Sequence, residues 1–211
     1  KPRPHRLEIT KMLMDRGLLA RGIVTLGSNE NHDYDWTEQN DIPLVLTIDD
    51  SPSNYKHNGK ADEFSGIPND LVSIGRLDIW QQCFLNVVSE TEFESWKPRF
   101  VTEKMWKPIC IGHPFLVVAN QGFYRDLRNL GFKTFGHLID ESFDGIENSQ
   151  ARIERIEKVV EDLCRRDLVQ FLTAAEDVCK YNQQHLIELR QQETQDFPHR
   201  LDQFLNKYFN E

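Results

Sequence analysis

Side chains that could do chemistry gather between Ser89 and Lys104. An apolar, β-branched run, Phe84-Leu85-Asn86-Val87-Val88, delivers Ser89, Glu90 and Thr91 at its end. A loop with Trp96, Lys97, Pro98 and Arg99 follows, and Phe100-Val101 leads into Thr102-Glu103-Lys104. Thr102 is an N-cap by residue type and position. The helix it opens presents unpaired backbone N–H groups and the positive end of its dipole. With Lys97, Arg99 and Lys104 beside it, such an end can hold a diphosphate. Glu103 could then accept hydrogen bonds from ribose hydroxyls while Lys104 offsets phosphate charge. The same triplet also fits an ordinary capped helix with a surface Glu–Lys pair.

Other candidates are more isolated. Arg3, His5, Arg6 and Lys11 put a basic start on a first helix, fit for a phosphate or for plain solvation. Asp49-Asp50 could hold Mg or Mn through carboxylate oxygens, but Ser51-Pro52-Ser53-Asn54 follows and residues 49–70 read as an irregular loop. His113 could serve as acid or base, or as a structural residue before Pro114. Asp140-Glu141-Ser142-Phe143-Asp144 reads as a solvated acidic loop.

The elements that must position these residues follow from periodicity. Leu7, Ile9, Met12, Leu13 and Leu18 predict a helix from about His5 to Gly17. Short strands are predicted at Ile23–Leu26 and Pro43–Ile48, and core strands at Phe84–Val88 and Phe115–Ala119. A helix from Thr102 stops near Gly112; another, Phe123 to Leu130, is closed by Gly131 and followed by a last strand at Phe132–Phe135. Strands alternating with short helices predict an α/β fold with a Rossmann-like parallel sheet, in which ligands lie outside the carboxyl ends of the strands. From Ser149 the chain reads as helical, with one stripe through Ile153, Ile156, Val159, Val160 and Leu163, a second from Leu168 to Leu189, a break at Phe197-Pro198 and a terminal helix. Residues 1–148 are therefore expected to form the binding domain, and 149–211 a helical extension packed on it or reaching a partner.

Composition narrows the classes. The chain has 211 residues, enough to bury a substantial core. A formal charge of -9 argues against nucleic acid as a partner, since phosphate backbones need a basic face. Cys83, Cys110, Cys164 and Cys179 have no metal spacing and read as buried, reduced thiols of a cytoplasmic protein. No apolar run reaches membrane-spanning length and no signal peptide is visible. The chain opens at Lys1-Pro2-Arg3-Pro4 without Met, as expected of a fragment or a processed product.

The segment from Phe84 to Lys104 resembles the donor-binding motif of the α-1,3-fucosyltransferases. In that family a strand ending in Phe-Glu-Asn-Ser precedes a loop and an aromatic residue, any residue, then Thr-Glu-Lys. Here the matching residues are Val88-Ser89-Glu90-Thr91 and Phe100-Val101-Thr102-Glu103-Lys104. Thr91 stands where the family has Asn, and Phe100 where it has Tyr. The continuation through Trp106-Lys107-Pro108, Pro114-Phe115 and Gly131–Phe135 to Asp140–Asp144 is similar to fucosyltransferase-like proteins of phages, giant viruses and bacteria.

The resemblance implies half of a GT-B fold and an inverting transfer from a nucleoside-diphosphate sugar to a hydroxyl of a glycan or protein acceptor. No metal or other cofactor is implied. It carries ribose contact onto Glu103, phosphate contact onto Lys104 and Arg6, and the strand-end Glu onto Glu90. Thr91, Thr102, Lys97 and Arg99 complete the expected donor site. In that family the acceptor and the catalytic base belong to an N-terminal lobe; for a viral protein the compartment is the host cytoplasm. The residues leave other readings open: a metal-dependent GT-A enzyme using Asp49 and Asp50, a non-catalytic nucleotide or glycan binder, or an assembly module that oligomerises through its C-terminal helices.

Overall fold

The two apolar runs expected at the core do become parallel strands in the computed structural model, which describes residues 3–24, 26–27, 45–46 and 77–209. In chain order the elements are α1 (Pro4–Asp15), a 3-10 turn (Leu19–Arg21), β1 (Leu26–Gly27), β2 (Val45–Leu46), α2 (Leu77–Gln81) and β3 (Asn86–Ser89). There follow α3 (Glu103–Cys110), β4 (Phe115–Val118), α4 (Phe123–Asn129), a second 3-10 turn (Ser142–Gly145), α5 (Ser149–Arg165) and α6 (Leu168–Phe209). The architecture is mixed α/β and mostly helical. β1 pairs with β2 and β3 with β4, both in parallel, and the β3–β4 register runs from Asn86↔Phe115 to Ser89↔Val118. Among the described residues these are two separate two-stranded sheets instead of the one continuous sheet expected.

β4 is buried on both faces, as an unalternating apolar run requires. Val118 accepts from the N–H of Glu90 on the β3 side. The N–H of Val117, pointing the other way by strand alternation, donates to the Tyr124 phenol oxygen at 2.7 Å. A side chain thus closes the edge of β4 at which a further strand would pair.

This bears on the strand expected at Phe132–Phe135, which does not form: the segment is irregular. Its backbone is satisfied by an amide side chain instead. Lys133 N–H donates to Asn182 Oδ1 at 2.8 Å and Lys133 C=O accepts from Asn182 Nδ2 at 2.9 Å. Phe132 and Phe135 still point into the core.

The acidic loop is only partly solvated: Asp140 and Ser142 are exposed. Asp144 is buried, and its two carboxylate oxygens accept from Tyr124 N–H at 2.9 Å and Arg125 N–H at 3.1 Å. It caps α4 from outside the helix, offsetting orphan amides at a positive dipole end. Glu141 accepts from Thr134 Oγ1 at 2.8 Å and Arg128 at 3.0 Å.

In the helical region the α5 stripe from Ile153 to Leu163 is buried as its spacing predicts. The chain breaks at Asp167, whose carboxylate caps Val169 and Gln170 at 3.0 and 3.1 Å. It does not break at Pro198, which lies inside the 42-residue α6. α1 and the segment after it rest on α5, with Ile9 and Met12 of α1 buried, Arg16 paired with Glu161 and Arg21 Nε bonded to Cys164 O. All four cysteines are free; Cys179 is buried, Cys83 and Cys164 are half-buried and Cys110 is exposed, contrary to the expectation of burial for all.

Candidate functional site

β3, α3 and α1 meet at one point. Where β3 ends, the Glu90 side chain turns inward and is fully buried. Its carboxylate accepts from Thr102 N–H at 3.0 Å and from Thr102 Oγ1–H at 2.6 Å. Two charge-assisted bonds therefore fasten the N-cap of α3 to the strand end. Thr102 Oγ1 in turn accepts from Lys104 N–H at 3.4 Å and Lys104 Nζ at 3.2 Å. The cap that residue type alone predicted is present.

Glu103 and Lys104 stay partly exposed and pair with each other at 2.8 Å. Burial pushes the Glu103 carboxyl upward, but the Lys104 ammonium and Glu103's own backbone N–H outweigh it and hold the group below the usual carboxylate range. At the helix start Glu103 thus has two partners, the Lys104 ammonium and its own backbone N–H.

α1 closes the junction from the other side. Arg6 Nη2 donates to Ser89 O and Glu90 O, both at 3.1 Å, and the guanidinium feels the carboxylates of Glu90 and Glu103. His5 Nε2–H donates to Glu90 O at 3.0 Å, and its ring stacks on Phe93 at 5.0 Å. Burial lowers the His5 pKa from 6.5 to about 4; the bond to Glu90 opposes this, and Arg6 and Arg3 add to it. Arg6, Glu90, Thr102, Glu103 and Lys104 are thus brought together.

The other expected residues lie apart from that knot. Thr91 follows Glu90 half-buried. Lys97 pairs with Glu92 at 2.7 Å and sits over the Trp96 ring. Arg99 bonds Asp126 on α4. His113 precedes β4, at the opposite end of the parallel strands from Thr102, edge-on to Trp80. Asp49 and Asp50 lie outside the described residues. Among the described residues no group of three or more His, Cys, Asp or Glu is placed to hold a metal. No described helix is long and apolar enough to cross a membrane. A groove of about 290 Å3 lies elsewhere, lined by Ile139, Asp140, Arg155, Lys158, Asp162 and Arg166 among others. Its charges are largely spent in Arg155–Asp140 and Arg166–Asp162 pairs.

The residue that sequence reasoning missed is Arg152, fully buried. It donates to Ser95 Oγ at 2.9 Å, Ile146 O at 2.6 Å, Glu147 O at 3.1 Å and Phe93 O, with its guanidinium 4.4 Å from the Phe93 ring centre. It ties the loop after β3 to the start of α5. A signal existed: position 152 falls on the same helical face as Ile156, Val159 and Leu163, where an arginine needs buried acceptors. Compared with protein-family models, characterised proteins and solved structures, the chain matches none.

Proposed function

We propose that this chain is the donor-binding half of an inverting glycosyltransferase with a GT-B, Rossmann-like architecture, using a nucleoside-diphosphate sugar and no obligatory metal. One observation carries the reading. Arg6, from the start of α1, and Lys104, from the start of α3, converge on a strand end rigidly capped by the Glu90–Thr102 bonds. A diphosphate at that point would meet two cations and the first-turn amides of α3. Glu103 would leave Lys104, free its own N–H for a phosphate oxygen, and accept from the ribose hydroxyls. As the glycosidic bond to the diphosphate breaks, negative charge grows on the leaving phosphate, where Lys104, Arg6 and the helix dipole stabilise it. Glu90 acts through Thr102, holding the helix start in place. The base that deprotonates the acceptor hydroxyl would belong to a second lobe.

Calorimetric titration with GDP and UDP tests the reading. One of them binds the wild-type chain, and Lys104→Ala weakens it about tenfold or more, the loss expected of one charge-assisted contact. Absence of binding at millimolar nucleotide, or equal affinity in Lys104→Ala, would overturn the proposal.

A further inference from the structure

The loop between β3 and α3 holds an indole ring out in water on a rigid mount. We propose that this ring, Trp96, is the stacking platform for a neutral sugar. Trp96 is 78% exposed. Such exposure is unremarkable on a loose loop, but this loop is fastened on both sides of the ring. Buried Arg152 holds Phe93 O and Ser95 Oγ, and Ser95 Oγ donates to Glu147 O at 2.5 Å. After the ring, Lys97 N–H donates to Glu94 O at 3.1 Å, and the side chain of Asn120, 3% exposed, donates to Lys97 O at 3.0 Å. A backbone so fixed leaves a ligand little of the loop to order, which favours a preorganised contact. Asn120 lies two residues beyond the end of β4, so the mount stands at the carboxyl edge of the strands, where ligands of α/β sheets lie.

The surroundings select the occupant. Lys97 Nζ sits over the ring 5.3 Å from its centre, anchored by Glu92 at 2.7 Å. One face is therefore already taken by a cation, and a second cation on the other face would be repelled. Glu92 cancels the charge of that lysine, so beside the ring stands an ion pair of no net charge that gives an anion, a nucleotide phosphate included, no advantage. Carboxylates accept hydrogen bonds from hydroxyls, and the C–H face of a pyranose is apolar. A neutral sugar fits both: its flat face covers the indole while its hydroxyls reach the Glu92 carboxylate.

The stacking does not rest on the transferase reading. Nitrogen-15 spectra of the whole chain would follow the Trp96 indole N–H, assigned by its loss in Trp96→Tyr. The probes are methyl β-galactoside, N-acetyllactosamine and maltotetraose, with AMP as an aromatic anion. The expected result is a saturable shift with at least one sugar at millimolar concentration and none with AMP. Trp96→Ala should weaken that sugar about tenfold or more, and Trp96→Tyr should keep most of the affinity. No shift with any sugar, a shift with AMP instead, or unchanged sugar binding in Trp96→Ala would overturn the assignment. Lys104→Ala should leave the sugar titration unchanged, so failure of the donor site, read from GDP and UDP, is told apart from failure of the platform.

Discussion

His5 makes the candidate site sensitive to acid, and the size of the effect follows from its burial. The imidazole titrates near 6.5 in an unfolded chain and near 4 when packed against Phe93 beside Arg6 and Arg3. The sign follows from proton counting. Above about pH 6.5 both states are neutral and the group contributes nothing to pH dependence. Below it the unfolded chain takes up a proton that the folded chain refuses, so stability falls until the folded group also titrates near 4. Each unit of difference is about 1.4 kcal/mol, so the whole window is worth about 3 kcal/mol, and about 2.5 kcal/mol lies between roughly pH 7.5 and roughly pH 4.5. Urea unfolding of wild type and His5→Gln at those two pH values isolates the term. Glutamine can still donate to Glu90 O but has no titration, and the other carboxylates cancel in the difference. Wild type should lose about 2.5 kcal/mol more than His5→Gln over that interval. Because the folded His5 stays neutral down to about pH 4, the nucleotide affinity of the folded chain should not differ between wild type and His5→Gln over that window; the difference belongs to stability alone. Parallel pH profiles of stability for the two proteins would refute the argument.

Three other substitutions probe the frame around the site. Glu90→Ala leaves the buried Thr102 N–H without its acceptor and should cost about 3 kcal/mol by chemical denaturation, with Glu90→Gln milder because one carbonyl oxygen remains. Arg152→Met keeps the aliphatic stem but strands the carbonyls of Phe93 and Ile146, while Glu147 O keeps its bond from Ser95 Oγ. It should cost about 3 kcal/mol and speed hydrogen exchange in the loop carrying Trp96, and unchanged exchange there would count against the mount. Gly131 has φ +88, and a Cβ added to it would lie 2.6 Å from His185 Nε2. Gly131→Ala should therefore lose about 1–2 kcal/mol, and His185→Ala in the same chain should recover the steric share, measured as non-additivity in a double-mutant cycle.

What was legible in the sequence is what carries its cause locally. An N-capping threonine, a glycine closing a helix and a β-branched run with no polar alternation each state their own conformation, and Thr102, Gly131 and β4 form as expected. The misses share a different cause: a distant side chain takes a backbone group that pattern alone assigns to a neighbouring strand or to water. Asn182 satisfies Lys133 across 49 positions, so a β-like segment needs no ladder. Asp144 satisfies α4 across 20, so an acidic loop is drawn inward. Pro198 fails as a breaker because α6 tolerates one lost i→i−4 bond on a stretch whose described flanking residues are exposed. The same logic divides the two acids of the candidate site, which sequence alone treats alike. Glu90 is committed to Thr102 and can act on a ligand only by holding the helix start. Glu103 is committed to groups that an arriving diphosphate would claim for itself, Lys104 and the first-turn amide. Removing the Glu103 carboxylate should therefore have opposite effects on two probes: pyrophosphate, which needs only the vacated cations and amides, should bind more tightly, while a nucleoside diphosphate should lose the ribose contact.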